Sequence, residues 1–379
     1  MEMRKKKILF AIESLSGGGA EKVLSTILNH INCDKFEIGL FSLLDSGVNK
    51  ENIPSHIKYH YALPEKGSNS WLYRIKYKLI YSILPLSIVY RWFVPKGYDV
   101  EVAFIEGFIT KLFSKSPKSR KIAWVHVDLA LFPWTINEGI YASVEDEIKA
   151  YSRYSKIITV SKTVSDNFKA TYGLENTVIY NPIDAKDILK KSLKESGLPE
   201  NGRIRIISVG RLVYQKSYDR LLNAFCKLLK DGADAELIIL GEGNEREELQ
   251  HMASSLGISD RVIFGGFKKN PYCFMKASDI FVCSSRFEGF SLVIAEAMVT
   301  GLPIVSTNCS GPNELLDDGR FGLLVDNDEQ SIYNGLKQLA FDATARKEYS
   351  EKSLERAADF DLGRVIKSIE TLLSSSTDA

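Results

Sequence analysis

The sequence predicts an α/β fold in two units, each built on an open parallel sheet. Its 379 residues exceed what one core fills well, because interiors stop growing efficiently at roughly 250–300 residues. Apolar runs of strand length alternate with amphipathic stretches of helix length in both halves, the pattern of parallel strands joined by crossover helices. Glycines such as Gly210, Gly241 and Gly265 directly follow predicted strands, where the chain turns sharply.

The first unit opens with a strand over residues 7–13, a tight loop at Gly17 to Gly19, and a helix over residues 20–31. Val23, Leu24, Ile27 and Leu28 face the core at helical spacing. Further strands are predicted over 36–42, 100–104, 121–126, 156–160 and 177–180, and the unit closes at Asn181-Pro182. The polar stretch 186–203, with Gly197, Pro199 and Gly202, reads as a linker. A second unit begins near Ile204, with strands over 204–209, 235–240, 262–264, 279–283 and 303–307. No repeat of 20 to 50 residues is present, which excludes solenoids and propellers.

Composition narrows the function. The charged fraction of 26% and hydrophobic fraction of 45% are those of an ordinary globular enzyme. Forty-nine Lys plus Arg against 48 Asp plus Glu leave a net charge of +1, so no whole-molecule field points to nucleic acid. The five cysteines are scattered without a CxxC pair, which fits reduced thiols in a reducing, cytoplasmic compartment. Residues 1–7 are basic and the apolar run 8–12 follows, too short for a secretory signal, so it reads as the first buried strand. Asn308-Cys309-Ser310 matches a glycosylation acceptor by coincidence.

The most specific chemistry lies in the segment FEGFSLVIAEAM at residues 287–298. Glu288 precedes a predicted helix start and Glu296 lies about two turns deeper. A helix start leaves amides unpaired and carries partial positive charge, so Phe290, Ser291, Leu292 and Val293 offer N–H groups to a phosphate or sugar oxygen. Gly289 lets a ligand come close, Glu288 accepts from sugar hydroxyls, and Glu296 accepts from a ribose. Arg211 and Lys216 follow the strand end at Gly210 and supply fixed cations. Fixed cations of this kind stabilise the negative charge that grows on a departing diphosphate.

These residues resemble a known family. EGFSLVIAEA resembles the E-x7-E signature of retaining GT-B glycosyltransferases, glycosyltransferase family 4 (glycosyl transferases group 1), of the bacterial polysaccharide-biosynthesis type. Gly210-Arg211-Leu212 with Lys216 resembles that family's G-R-L-x-x-x-K element, in which arginine and lysine clamp the donor diphosphate; Ser217 stands here where glycine is usual. Gly17-Gly18-Gly19-Ala20-Glu21 resembles the family's opening glycine loop, which implies donor contacts at Gly18 and Gly19. As a dinucleotide or Walker fingerprint the same loop fails on spacing. His126, ending a strand, matches a histidine that faces the donor sugar, and VIFGGFK at 262–268 matches the element whose loop near Lys268 supports the nucleobase. Ser161, the Asn181-Pro182-Ile183-Asp184 turn, Gly301-Leu302-Pro303 and the 310–315 loop extend the resemblance over nearly the whole chain.

The resemblance implies a GT-B fold: two Rossmann-like domains with parallel sheets facing across a cleft. Residues 1–190 are expected to form the acceptor-binding domain, 191–360 the nucleotide-sugar domain, and 361–379 a helix packing back on the first. It implies transfer of a hexose or N-acetylhexosamine, with retention, from a nucleoside-diphosphate sugar, UDP-sugar favoured. The acceptor would be a glycan or lipid-linked saccharide in the biosynthesis of cell-surface polysaccharide, capsule or lipopolysaccharide. His126, Arg211, Lys216 and Glu288 are the expected catalytic set. No cofactor and no metal are expected, since Arg211, Lys216 and a helix start neutralise the diphosphate and Asp317-Asp318 and Asp326 to Asp328 read as loop acids. A nucleotide-sugar epimerase on the same fold is the alternative, followed by a dinucleotide-dependent oxidoreductase and a noncatalytic lectin-like subunit.

One segment stands apart from that chemistry. Residues 71–96, from Trp71 to Lys96, interleave Arg74, Lys76, Lys78, Arg91 and Lys96 with seven Trp, Tyr and Phe side chains and contain no acid. Pro85 interrupts the segment and its uncharged core falls short of the roughly 20 residues a membrane span needs. It reads either as an interfacial element that places the enzyme peripherally on the inner face of the cytoplasmic membrane, or as a helical pair packed on the first sheet.

Overall fold

The computed structural model describes residues 4–65, 71–118 and 120–375; Met1, Glu2 and Met3 of the basic N-terminal run lie outside them. The chain divides into two compact units, Met1–Pro182 with Gly363–Ala379, and Ile183–Leu362.

The first unit holds a seven-stranded parallel sheet in the order β3-β2-β1-β4-β5-β6-β7. Its strands are β1 Lys6–Ile12, β2 Phe36–Leu44, β3 Lys58–Leu63, β4 Val100–Ala103, β5 Lys121–Val125, β6 Lys156–Thr159 and β7 Thr177–Val178. Residues Ile8 to Ile12 of β1 are wholly buried, as a strand covered by helices on both faces must be. Phe10 sits opposite Leu40 of β2 and Val102 of β4, which fixes the register of the sheet's centre. The chain builds outward from β1 to β3 on one side and then crosses to place β4 on the other. The C-terminal ends of β1 and β4 therefore flank a topological switch point, where open α/β sheets leave a crevice.

The second unit repeats the plan with six parallel strands in the order β10-β9-β8-β11-β12-β13. These are β8 Ile204–Val209, β9 Ala235–Leu240, β10 Val262–Gly266, β11 Ile280–Cys283, β12 Ile304–Thr307 and β13 Leu323–Val325. Its switch point lies between β8 and β11.

Three expectations need correction. β3 was absent from the sequence reading because KYHYAL is polar at alternate positions and pairs only with β2 at the sheet edge, leaving its first residues solvated. β13 has only three residues, below what periodicity detects. The segment 186–203 is not all linker, because Ala185–Ser192 is a helix whose cap is Asp184, accepting from the Asp187 amide at 3.0 Å. Ile188 is buried, Asn270 bonds the Lys191 carbonyl at 2.9 Å, and the unit boundary falls after Pro182 rather than at 190.

The helix Leu362–Ser374 belongs with the first unit through Ile366, Ile369 and Leu373, all buried. Arg120 donates to the Leu372 carbonyl at 2.6 Å and Lys6 to the Ser375 carbonyl at 3.1 Å. These cations meet the last carbonyls of the helix, which have no intrahelical partner. Lys35 pairs with Glu370 at 3.1 Å and the Asn32 amide donates to the same carboxylate at 3.0 Å.

Residues 71–96 form the helix Trp71–Lys78, a π-helical turn Leu79–Ile83 and, after Pro85, the helix Leu86–Phe93. Ile80, Val89 and Tyr90 enter the core, while Trp71, Leu72, Ile75, Ile83 and Trp92 are exposed. Among the described residues no helix is long and apolar enough to cross a membrane.

Leu373 is fully buried, so Leu373→Ala is expected to cost about 2–5 kcal/mol, the usual range for such a truncation. Urea unfolding followed by fluorescence checks this, and an unchanged midpoint would mean that the terminal helix adds nothing to the first unit.

Candidate active site

In the second unit the site is assembled where the loops after β8 and β11 meet. β8 ends at Val209 and the chain turns at Gly210, packed so closely that a Cβ on Gly241 would fall 1.8 Å from the Gly210 carbonyl oxygen. The turn Tyr214–Lys216 then ends on Ser217 at φ 56°. That left-handed position explains why glycine is usual there, and Ser217 occupies it with its hydroxyl 3.2 Å from the Asp219 carboxylate.

The two loops are laced together by main-chain and side-chain bonds. The Arg286 amide donates to the Gln215 carbonyl at 2.8 Å, Gln215 Nε2 to the Phe287 carbonyl at 2.9 Å, and Ser284 Oγ to the Lys216 carbonyl at 2.8 Å. This lacing brings Lys216 Nζ onto Glu288 Oε1 in an ion pair, and the same oxygen accepts from Ser285 Oγ at 2.8 Å. The side chains are 16% and 9% exposed, so their mutual attraction is little screened by water. Burial works to lower the pKa of Lys216, but the Glu288 carboxylate outweighs it and holds the ammonium above its usual range.

The helix Leu292–Val299 begins beside this pair with Ser291 at its N-cap. Ser291 is 2% exposed, and among the described residues its hydroxyl has no hydrogen-bond partner, a buried polar group left for a ligand to satisfy. Glu296 is buried one turn inside the helix. Of the four amides expected to face a ligand, that of Leu292 is turned to the Phe290 carbonyl at 3.1 Å. Gly289 and Phe290 back onto Gly311, where an added Cβ would lie 2.7 Å from the Gly289 carbonyl oxygen.

Not every expected residue joins the pair. Arg211 is exposed, and among the described residues its guanidinium makes no ion pair. Lys268 is exposed beyond β10, two strands away from β8, with its ammonium 5.5 Å from the Phe274 ring centroid.

In the first unit, Gly18 precedes the helix Gly19–His30, and a Cβ on Gly18 would fall 2.4 Å from Glu21 Oε2. The Glu21 carboxylate thus folds back over the glycine loop, accepting from Ser16 Oγ at 3.2 Å. His126 follows β5 with its ring 4.9 Å from Phe104 and stacked at 6.3 Å on Trp124. Burial pushes its imidazole down to about 3, against a main-chain bond to Phe104 that works the other way. The ring is neutral: among the described residues its Nε2 has no partner, so Nδ1–H is the group that donates to Phe104, and Nε2 is left as a buried acceptor.

Sequence reasoning missed Glu106, on the loop after β4. Its Oε2 accepts from the His126 amide at 3.0 Å, it is 3% exposed, and burial pushes its carboxyl up to about 7. A signal was available, because Glu106-Gly107-Phe108 repeats the triplet Glu288-Gly289-Phe290.

Comparison with known proteins bears on the family and the fold. Residues 190–356 match the family model described as glycosyl transferases group 1. The N-acetylgalactosamine-N,N'-diacetylbacillosaminyl-diphospho-undecaprenol 4-alpha-N-acetylgalactosaminyltransferase of Campylobacter jejuni is 29% identical over 96% of this chain and 98% of its own length. The lipopolysaccharide 1,6-galactosyltransferase of Salmonella typhimurium is 25% identical over 84% of this chain and 85% of its own. The solved structure of Anabaena HepE in complex with UDP superposes with a TM-score of 0.72 at 22% identity, covering 97% of this chain and 99% of that one. The fold is that of the GT-B enzymes, two Rossmann-like units with parallel sheets. Nothing in the family match favours the epimerase alternative.

Lys216→Ala leaves the buried Glu288 carboxylate without its counter-charge, so it is expected to lower stability by about 3 kcal/mol. The double change Lys216→Met with Glu288→Leu, which removes both charges, is expected to recover most of that loss in urea unfolding. A double variant no more stable than the single one would show that the pair is not the source of the cost.

Proposed function

We propose, from the premise that this chain is a glycosyltransferase of the group 1 family, that it is a retaining enzyme moving a hexose or N-acetylhexosamine from a UDP-sugar to a lipid-linked saccharide. The observation that carries the reading is the Lys216–Glu288 pair at the β8–β11 switch point, beside a helix start whose Ser291 hydroxyl is buried without a partner. The choice of UDP is supported by the ligand of the Anabaena structure. The lipid-linked acceptor is supported by the diphospho-undecaprenol in the name of the Campylobacter relative.

On this reading the diphosphate lies between Arg211, Lys216 and the first amides of the Leu292–Val299 helix, with the Ser291 hydroxyl donating to a phosphate oxygen. The bond from the anomeric carbon to phosphate breaks as the acceptor oxygen attacks from the same face, and the departing phosphate takes the acceptor proton. Negative charge grows on the phosphate during that step and is met by cations already in place, which lowers the barrier more than it stabilises the ground state. The role needs no metal ion. Glu288 accepts from hydroxyls of the sugar, and Glu296 accepts from the ribose. His126 Nε2, a buried lone pair, accepts from a donor-sugar hydroxyl, while Lys268 and the glycine loop at Gly18 and Gly19 border the nucleotide.

Residues 71–96 extend the reading to a membrane surface. Exposed Trp71, Leu72, Ile75 and Trp92 lie among Arg74, Lys78 and Arg91 with no acid in the segment, a composition that suits anionic headgroups and the boundary beneath them. An enzyme drawing its acceptor from the inner leaflet of the cytoplasmic membrane would meet it there.

UDP is expected to raise the melting temperature, by mass action equivalent to about 2.7 kcal/mol at a hundredfold excess over Kd. Glu288→Ala and Lys216→Ala should abolish UDP release from UDP-sugars while the proteins stay folded. A wild-type protein indifferent to UDP would overturn the donor assignment. For the membrane, wild type should float with vesicles containing phosphatidylglycerol, and the change of Arg74, Lys76 and Lys78 to Glu should abolish flotation. Undiminished flotation of that variant would defeat the membrane reading.

A further inference from the structure

The two sheets share a plan, and matching their strands pairs β1 with β8 and β4 with β11. The loop after β11 carries Glu288-Gly289-Phe290, and the loop after β4, at the same place across the other switch point, carries Glu106-Gly107-Phe108. Glu288 holds a charged partner, whereas Glu106 holds a main-chain amide. That amide belongs to His126, the first residue beyond β5, where the chain leaves the ladder between β4 and β6.

A buried carboxyl at this place is costly, since its charged form is stripped of water and Glu21 and Glu147 add like charge. Its loop is nevertheless held firmly. Thr110 Oγ1 donates to the Ile105 carbonyl at 2.7 Å, and Gly107 adopts φ 89° with the Trp134 ring so close that a Cβ would lie 2.8 Å from it. The carboxyl is therefore a fixed acceptor, and what it fixes is the direction in which the chain carries the His126 ring. The other restraints on that ring are the Phe104 carbonyl at one nitrogen and the faces of Phe104 and Trp124. Nε2 is left over, buried and without a partner.

We infer that Glu106 is a positioning residue for sugar transfer: through the His126 amide it holds the imidazole so that Nε2 meets a hydroxyl of the donor sugar. The inference rests on the donor-sugar reading given above and adds to it a residue of the first unit that acts through another. A hydroxyl presented to Nε2 must lie within hydrogen-bond reach, and a misplacement of about 1 Å is enough to cost a large factor in rate. Glutamine keeps an oxygen at the same reach and satisfies the amide equally well. Leucine fills the space but leaves the amide orphaned and the ring free to shift.

The test is a double-mutant cycle on the full chain. It uses whichever of UDP-glucose, UDP-galactose, UDP-N-acetylglucosamine and UDP-N-acetylgalactosamine the wild type hydrolyses, with UDP release as the rate and the UDP-induced melting shift as a separate readout. Glu106→Gln is expected to stay within about threefold of wild type, while Glu106→Leu and His126→Ala each lose at least about tenfold with the UDP shift intact. The Glu106→Leu/His126→Ala double variant should be no slower than His126→Ala alone, because the two act as one unit. Should Glu106→Leu not fold, Glu106→Asp, whose carboxylate is one methylene too short for the amide, replaces it with the same expected loss. Losses that multiply in the double variant, or a leucine or aspartate variant as fast as wild type, would overturn the positioning role. A wild type that shows neither UDP shift nor UDP release instead overturns the donor-sugar reading itself, and this inference with it.

Discussion

A parallel sheet covered by helices on both faces has no face left for chemistry, so the ligand must be met at the strand ends. In both units the chain builds one side of the sheet from the first strand and then crosses to the other. The helices that follow β1 and β4, or β8 and β11, are thereby sent to opposite sides, and the loops between them are parted. Gly18, Gly19, Arg211, Lys216, Glu288 and Ser291 come from loops of this kind or from the helix starts just beyond them, while His126 and Lys268 follow β5 and β10. The glycines at 210 and 241 are needed because these loops approach one another to within contact distance.

At the second switch point the decisive interaction is a buried ion pair. Lys216 and Glu288 are remote in sequence, and removing either would leave the other's charge buried without its counter-charge. Each keeps its partner desolvated and in one rotamer, with Ser285 and the laced loops holding the carboxylate from behind. A site arranged in this way has already met the cost of ordering its charges before a ligand arrives. Arg211, exposed on the loop after β8, is the complement to that design, a cation that on the proposed reading a diphosphate recruits.

How much of this the sequence disclosed depends on the length and buriedness of each element. Strands covered on both faces read as apolar runs, as in Ile8 to Ile12 of β1 and Leu237 to Leu240 of β9. The solvated edge strand β3 and the three-residue β13 carry no comparable pattern. The helix Ala185–Ser192 was hidden by its lysines, while Ile188 is the one apolar side chain on its buried side, beside Ser192. In the site, Glu288, Lys216 and Ser291 were legible because a helix start and a strand end have local signatures. Their ion pair was not, since spacing along the chain does not reveal which loops a crossover brings together. The role of Glu106 was hidden for the same reason: the repeated Glu-Gly-Phe triplet marks the residue, but its bond to the His126 amide, twenty residues away, leaves no local signature.

The two switch points, each taken within its own unit, differ in charge. The second unit offers Arg211, Lys216 and a helix start, which attract a diphosphate. The strand ends of the first unit present Glu13, Glu21 and Glu106, with Glu13 held by the Tyr81 hydroxyl at 2.8 Å and Glu21 lying over the glycine loop. Carboxylates such as Glu13 and Glu21 can accept from hydroxyl groups, whereas the buried Glu106 is spent on the His126 amide. The neutral imidazole extends the same logic, because burial keeps His126 uncharged and leaves its Nε2 lone pair to a hydroxyl.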